Sequence, residues 1–205
     1  MPKIDTVIFD VGNVLLDWNP RHLYRKLFDD EERMEWFLAN ICTSAWNLEL
    51  DRGGAFAEAV RELVLRHPEW EREIRAFDER WHEMIAGEIA GSIELLARLK
   101  RRGVGLFALT NFSREKYDAT FPRYPFLREF DGVVVSGHEG VLKPDAAIFR
   151  LFLERYRRQA PRCLFIDDSP RNVAGAIQVG MEAVQFTDAA SLARDLEKLG
   201  LLEPA

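Results

Sequence analysis

The stretch that decides the fold is Thr6-Val7-Ile8-Phe9-Asp10-Val11-Gly12-Asn13-Val14-Leu15-Leu16. Residues 7–9 form an unbroken apolar run, which is typical of a central parallel strand buried on both faces. The run ends at Asp10, and Gly12 and Asn13 follow, residue types that allow a tight turn. A carboxylate directly after a buried strand lies at the sheet edge where open α/β folds bind ligands. At this point a strand that merely ends in a solvated aspartate is the alternative.

Beyond Gly91, strand and helix patterns alternate to the end of the chain. Apolar runs predict strands at 104–109, 132–136, 163–166 and 183–186, with helical patterns between them. This alternation predicts βαβ units and a parallel sheet. The fold class is therefore α/β, with a doubly wound, Rossmann-like core.

Three local predictions concern the ends of these helices. Ser92 is expected to cap a helix over 93–102, because serine oxygens accept hydrogen bonds from the first turn. Residues 137–140 are expected to form a glycine-rich turn before Lys143. Pro144 is expected as the first residue of a helix that runs to Tyr156.

The segment between the first strand and Gly91 has a different character. It contains all five tryptophans and shows apolar residues at helical spacing, which predicts four or five short helices. We expect residues 1–16 and 89–205 to form the α/β core. Residues 17–88 are then an inserted helical cap that covers the sheet edge above Asp10.

Composition excludes several classes of function. The 205 residues carry a formal net charge of −6, which argues against nucleic-acid partners and anionic membrane surfaces. No apolar run approaches the ~18 residues that a membrane span needs. The four histidines show no metal-ligand spacing, and Cys163 lies in an apolar run that favours a buried thiol. Because Met1-Pro2-Lys3 leads directly into the first strand, we expect no signal peptide and a cytoplasmic protein.

Four polar residues follow predicted strands or their loops: Asp10, Thr110, Lys143 and Asp168. The carboxyl ends of parallel strands meet in one crevice, so these side chains are expected to converge. Carboxylates that share a site repel one another unless a cation lies between them, and hard oxygen ligands suit Mg²⁺. Asp10 and Asp168 are the expected direct ligands, with Asp167 at one remove.

These residue types fit phosphoryl transfer through an aspartyl-phosphate. Asp10, kept ionised beside a metal and Lys143, is the candidate nucleophile. The Thr110 hydroxyl and the Lys143 ammonium would hold the oxygens of the transferring group. Taken singly, each residue could be a polar turn, a solvated loop lysine or a helix-terminal carboxylate; their common position at strand ends argues against that reading.

The chain resembles haloacid dehalogenase (HAD) superfamily hydrolases with a helical cap after the first motif. The motifs that carry the resemblance are Val7-Ile8-Phe9-Asp10, Ala108-Leu109-Thr110-Asn111, Lys143-Pro144, and Phe165-Ile166-Asp167-Asp168 with Asn172. The form of residues 10–14 resembles the branch that includes α-D-glucose-1-phosphate phosphatase. The resemblance implies Mg²⁺ on Asp10, the Gly12 carbonyl and Asp168, with Asp167 beside it. It also implies phosphate binding by Thr110, Asn111, Lys143 and Asn13.

One departure from the family pattern lies at Gly12. Most phosphatases of the superfamily carry an aspartate there, two residues after the nucleophile, as general acid and base. Such a group contributes about 10²–10⁴-fold in rate. The sugar-phosphate branch also has glycine at this position, and Asp17, His22 or an ordered water are the candidate replacements.

We therefore expect a Mg²⁺-dependent phosphatase of a small phosphorylated metabolite, such as a sugar phosphate, that acts as a monomer or homodimer. The first alternative is a 2-haloacid dehalogenase, a family that lacks metal and replaces the acidic pair of the fourth motif. The second is a non-catalytic metabolite-binding protein. In the cap, the candidate substrate contacts are Asp17, Trp46, Glu49 and Arg52, with packing within the cap as the alternative role.

Overall fold

The computed structural model describes residues 3–203. Met1 and Pro2, on which the expectation of no signal peptide depends, lie outside the described residues. Within the described part, no helix is both long and apolar enough to span a bilayer.

Seven strands occur in residues 3–203, and the sequence predicted all of them except the second and the third. They are β1 Thr6–Phe9, β2 Leu16–Trp18, β3 Ile85–Glu88, β4 Gly105–Thr110, β5 Gly132–Val135, β6 Cys163–Asp167 and β7 Glu182–Gln185. Five of them form a parallel sheet in the order β5-β4-β1-β6-β7. Because β1 lies in the middle, Asp10 leaves the centre of the sheet. The predicted α/β fold class is confirmed.

The same part of the chain contains eleven α-helices. They are α1 Arg21–Tyr24, α2 Glu31–Asn40, α3 Ser44–Asp51, α4 Phe56–Arg66, α5 Glu71–Glu79, α6 Ala90–Arg101, α7 Arg114–Thr120, α8 Ser136–Glu139, α9 Ala146–Arg155, α10 Pro170–Gln178 and α11 Ala189–Lys198.

The alternation of side chains along β1 explains why the sheet is covered on both faces. Val7 and Phe9 belong to a buried cluster that also includes leucines of α6 and α11. Ile8 points to the opposite face and belongs to a second cluster, with Phe149 of α9 and Ala176 of α10. All three β1 side chains are fully buried, as expected for a central strand.

Three local predictions, two helix starts and one turn, are wrong in detail. The helix over 93–102 begins earlier, at Ala90, and Ser92 lies buried in its first turn, because β3 ends at Glu88 and the chain turns directly into the helix. Residues 137–140 are not a glycine-rich turn, since residues 137–139 belong to α8, and Gly140 follows the helix as its cap with φ +73°.

The third correction concerns Pro144, which is not the first residue of α9. The helix begins at Ala146 and ends at Arg155. Asp145 is its cap, since its Oδ1 accepts a hydrogen bond from the amide of Ala147 at 2.9 Å. Lys143 and Pro144 therefore remain in the loop that leads to the sheet edge.

Helices α1–α5 lie between β2 and β3, which pair antiparallel. This strand pair was not predicted, because β2 and β3 are only three and four residues long. The buried cluster on the α6 side of the sheet continues into these helices through Tyr24 and Phe77. The division into a core and a cap at residues 17–88 stays a proposal.

Polar contacts hold the helical segment against the rest of the chain. The Ser136 hydroxyl donates to the backbone oxygen of Asp51 at 2.6 Å and accepts from the amide of Phe112 at 2.9 Å. On α7, the Lys116 ammonium forms an ion pair with Asp78 and donates to its backbone oxygen. The C-terminal end of α3 is therefore fixed beside the loop that follows β4.

Candidate active site

Asp10 stands at the carboxyl end of β1 and is almost fully buried, with 8% of its surface exposed. Its amide donates to the carbonyl of Ile166 at 2.8 Å, which continues the strand pairing to this residue. The amide of Val11 donates to Oδ1 of Asp10 at 2.7 Å. The backbone that follows the strand thus orients this carboxylate.

Lys143 lies between two carboxylates. Its Nζ is 2.9 Å from Oδ1 of Asp10 and 2.7 Å from Oδ2 of Asp167, and it also donates to the Leu109 carbonyl at 2.9 Å. Burial opposes the charged form, but the carboxylates of Asp10 and Asp167 outweigh it and raise the pKa of Lys143. The lysine is therefore a fixed positive charge inside the site.

Asp167 is held by further donors besides the Lys143 ammonium. Oδ1 accepts from the Ser169 amide at 2.8 Å, and the Asn172 side-chain amide donates to both oxygens at 3.0 and 3.1 Å. Together with Lys143, these contacts occupy acceptor positions on both carboxylate oxygens. That arrangement supports the expected place of Asp167 at one remove from a metal.

The donor set at this edge fits a hard cation. One oxygen each from Asp10, Asp167 and Asp168 lies within 4.8 Å of the others. Burial raises the pKa of Asp10 to about 7, against the opposing effect of Lys143. Burial, and next the charge of Asp167, raise the pKa of Asp168. A divalent cation would relieve the crowding of these three carboxylates, and all-oxygen ligands suit Mg²⁺.

Thr110 and Asn111 follow β4 at the same edge. Thr110 is buried, and its hydroxyl has no hydrogen-bond partner among residues 3–203. The Asn111 side chain is engaged by the backbone of Lys143, since it donates to the Lys143 oxygen at 3.0 Å and accepts from its amide at 2.8 Å. Asn111 therefore fixes the Lys143 loop, and its expected contact with phosphate stays a prediction.

Gly12 and Asn13 lie in the turn after Asp10. Asn13 adopts a left-handed backbone with φ 56°, and its side-chain oxygen accepts a hydrogen bond from the Trp18 amide at 3.2 Å. A Cβ added to Gly12 would meet nothing within 4 Å. The turn thus leaves open space beside the nucleophile candidate.

An open cavity of about 400 Å³ is lined by Lys143 and Asn111. Two exposed guanidinium groups line it, one from Arg52 at the end of α3 and one from Arg171 in α10. Asp145 also lines the opening, but these two guanidinium groups and Lys143 outnumber it, and an excess of positive charge attracts small anions. Of the predicted cap contacts, Arg52 is the one placed at this opening.

A larger cavity of about 570 Å³ lies among the loop after β2 and helices α2 and α3. Its lining is mainly polar and includes Asn13, Asp17, Arg21, Glu35, Ser44 and Asn47. The Arg21 guanidinium donates twice to the Glu35 carboxylate, each time at 2.5 Å. Asp17 therefore lies in a cavity wall, where a substrate contact by this residue stays a prediction.

The other predicted cap contacts lie elsewhere. Trp46 is partly buried and packs edge-on against Phe77, with ring centroids 5.0 Å apart. Glu49 is exposed and lies 3.5 Å from the Arg52 guanidinium. The position of Trp46 favours the packing role that the sequence left open.

Sequence reasoning missed Asp51. This residue is the last of α3 and lines a small cavity of about 70 Å³ together with Gly12 and Asn111. The sequence contained one indication that Asp51 has a special role. Its negative charge at the C-terminus of a helix interacts unfavourably with the helix dipole. The presence of an aspartate at this position is therefore not explained by helix stability.

The chain is similar in sequence to named phosphatases and similar in fold to solved structures. Sesquiterpene phosphatase of Aspergillus oryzae is 26% identical over 193 residues, which cover 94% of each chain. Phosphoserine phosphatase of Thermus thermophilus is 30% identical over 146 residues, which cover 66% of this chain and 57% of that protein. A HAD family enzyme of Bacteroides thetaiotaomicron, solved as a magnesium complex, superposes with a TM-score of 0.72. That superposition covers 93% of this chain and 98% of the other at 18% identity, and it shows the shared fold.

The sequence model of one family covers most of the chain. It is the model of haloacid dehalogenase-like hydrolases, and it matches residues 4–180. This range includes β1 to β6, and with them Asp10, Thr110, Lys143 and Asp168. The chain belongs to the haloacid dehalogenase-like hydrolase family.

Proposed function

We propose that this protein is a Mg²⁺-dependent phosphatase of a small phosphorylated metabolite and works through an aspartyl-phosphate on Asp10. The observation that carries the proposal is the buried Lys143 ammonium between Asp10 and Asp167, 2.9 and 2.7 Å away. It lies beside Asp168, the third carboxylate of the cluster. A fixed cation beside a carboxylate suits a reaction in which charge builds up on phosphoryl oxygens.

The chain's own residues account for the first step. An oxygen of Asp10 attacks phosphorus, a bond forms between them, and the bond from phosphorus to the leaving oxygen breaks. Lys143 and the unpartnered Thr110 hydroxyl hold the phosphoryl oxygens in line with Asp10. Water then attacks the same phosphorus, which releases inorganic phosphate and restores the Asp10 carboxylate.

Asp10, Asp168 and the Gly12 carbonyl are the proposed metal ligands, with Asp167 behind them. Bound there, Mg²⁺ supplies positive charge against the carboxylates and the phosphoryl oxygens. The related Bacteroides enzyme was solved with magnesium, which supports the choice of metal. The intact pair Asp167-Asp168 favours this reading over a dehalogenase, which would need no such cluster.

The cap cavity supports a hydroxylated leaving group. Beside apolar side chains such as Leu38 and Phe77, its walls carry amide, hydroxyl, carboxylate and guanidinium groups, which suit the hydroxyls of a sugar. We therefore favour a sugar phosphate, in line with the branch that includes α-D-glucose-1-phosphate phosphatase. The related phosphatase of Aspergillus is named for a sesquiterpene substrate, so the apolar part of this lining makes prenyl phosphates the comparison class for sugar phosphates.

Partners and location remain part of the proposal. The negative net charge supports a small-molecule substrate rather than nucleic acid. A cytoplasmic location and a monomeric or homodimeric state are proposed with it.

The test is a screen of phosphorylated metabolites with the purified chain, run with Mg²⁺ and again with EDTA. Halide release from 2-chloropropionate is measured beside it. We expect phosphate release with Mg²⁺ alone, with sugar phosphates among the best substrates. Metal-independent halide release would establish the dehalogenase, and ligand binding without any turnover would establish the binding protein.

A further inference from the structure

The space beside Gly12 is open, although in most related phosphatases an acid occupies it. A Cβ built on Gly12 meets no atom within 4 Å, and the residue does not adopt the left-handed backbone that disfavours side chains. The fold therefore has room at this position for a group that comes from elsewhere in the chain.

The Asp51 carboxyl, from the end of α3, borders the cavity that contains this space. Gly12, Asp51 and Asn111 all line this cavity. Oδ2 of Asp51 accepts a hydrogen bond from the Asn47 side-chain amide at 3.0 Å. Because the Ser136 hydroxyl binds the backbone oxygen of Asp51 at 2.6 Å, both the side chain and the backbone of the residue are fixed.

The two side chains that the sequence offered as replacements, Asp17 and His22, do not share this position. Asp17 and His22 pair with each other at 3.0 Å, and about half of the Asp17 side chain is exposed. Among residues 3–203, neither of them lines the cavity at Gly12.

We propose that Asp51 is the proton donor and acceptor that replaces the missing acid at Gly12. This inference rests on the proposed phosphatase function. In the first step the bond from phosphorus to the leaving oxygen breaks, and the Asp51 carboxylic acid gives its proton to that oxygen, so that an alcohol leaves. In the second step the Asp51 carboxylate takes a proton from the water that attacks phosphorus. Phosphate then leaves Asp10, and both carboxyl groups return to their first state.

The environment of Asp51 suits both roles. Burial raises the pKa of Asp51 to about 7, while the Ser113 amide and the Lys143 charge act in the opposite direction. A carboxyl with a pKa near neutrality is present in both protonation states, as a group that alternates between acid and base requires. The charge of Lys143 lowers the pKa of Asp51 as it does that of Asp10, so the same ammonium group favours the ionised form of both carboxyls.

The test compares Asp51→Asn with Asp118→Asn, a control on α7 that pairs with His138. The probes are 4-nitrophenyl phosphate, whose leaving group needs no proton, and benzyl phosphate, whose leaving group does. With 4-nitrophenyl phosphate we expect Asp51→Asn to release one equivalent of nitrophenol at the unmodified rate and then turn over slowly. With benzyl phosphate the first turnover itself should fall by about 10²–10⁴-fold.

A rescue variant separates catalysis from packing. In the Asp51→Asn background, Gly12→Asp places a carboxyl in the open space and should restore much of the lost turnover of benzyl phosphate. Should Asp51→Asn fold poorly, Asp51→Ser in the same assays removes the carboxyl with less bulk. Unchanged rates with both probes in either folded variant would overturn the inference. If the unmodified protein turns over neither probe nor any phosphorylated metabolite, the proposed function itself fails.

Discussion

Nζ of Lys143 lies 2.9 Å from Oδ1 of Asp10, and both groups are buried. Asp10 ends β1, whereas Lys143 comes from the loop before α9, so the contact joins two separate parts of the core. Asn111 fixes that loop by two hydrogen bonds to the Lys143 backbone. The pair therefore depends on separate segments of the chain that meet at one edge of the sheet.

Removal of Lys143 should destabilise the fold as well as stop turnover. Lys143→Met leaves two buried carboxylates without their partner, and breaking a buried pair in this way costs about 3–5 kcal/mol. Urea unfolding in EDTA measures the loss. The matched control is Lys198→Met, whose exposed pair with Asp195 should change the unfolding free energy by less than about 1 kcal/mol. Equal effects of the two substitutions would contradict the structural role assigned to Lys143.

Asp168→Asn should weaken Mg²⁺ binding by at least about 10-fold, because an amide oxygen replaces a charged ligand. Isothermal titration of Mg²⁺ measures the affinity directly. Asp188→Asn is the control, since Asp188 caps α11 and asparagine preserves such a cap. An unchanged affinity in Asp168→Asn would remove this residue from the proposed ligand set.

Arg52→Ala should raise KM for phosphate monoesters several-fold and leave kcat nearly unchanged. Arg52 lines the open cavity beside Lys143, where its charge attracts the anion before chemistry begins. Arg61→Ala, on the exposed face of α4, should alter neither constant. Added salt should reduce the difference between Arg52→Ala and the unmodified protein. A drop in kcat with constant KM would instead assign Arg52 to the chemical step.

The stability effect of Asp51→Asn should grow as pH rises. Burial holds the folded-state pKa of Asp51 at about 7, above its ordinary value of 3.8, so the cost of ionisation is absent below pH ~4 and complete above pH ~7. The asparagine variant would avoid that cost, which is ~4 kcal/mol at most. Urea unfolding in EDTA at pH 4.5 and pH 8 should show a gain in stability at the higher pH. A gain that is equal at both pH values would mean that Asp51 is not desolvated.

The parts of the site that lie on the sheet could be predicted from the sequence. Asp10, Thr110 and Asp168 lie at or just past the ends of buried strands, and parallel pairing alone brings such ends together. The fold class was predictable for the same reason, since alternating strand and helix patterns leave few topologies. The position of Lys143 at the same edge of the sheet was also predictable. The start of the following helix α9 was not, because the loop continues past Pro144.

The parts that depend on how helices α1–α5 pack were not predictable. The place of Asp51 is set by how the end of α3 packs on Ser136, a contact between residues distant in sequence. Strands β2 and β3 are too short for the alternation of buried and exposed side chains to be recognised in the sequence. In the sequence, packing was already the favoured role of Trp46 over a substrate contact, and its contact with Phe77 in the structure supports that role.

The central claim is that Asp10 carries the phosphoryl group, and a single-turnover reaction in H₂¹⁸O tests it most directly. Excess enzyme with Mg²⁺ is mixed with the best phosphate ester from the screen, and both phosphate and the peptide that contains Asp10 are analysed by mass spectrometry. Acid quenching during the reaction should trap phosphate on Asp10, and Asp10→Asn should show neither adduct nor turnover. The account predicts ¹⁸O in the released phosphate and none in Asp10. Label in the Asp10 carboxylate, or full phosphatase activity in Asp10→Asn, would contradict it.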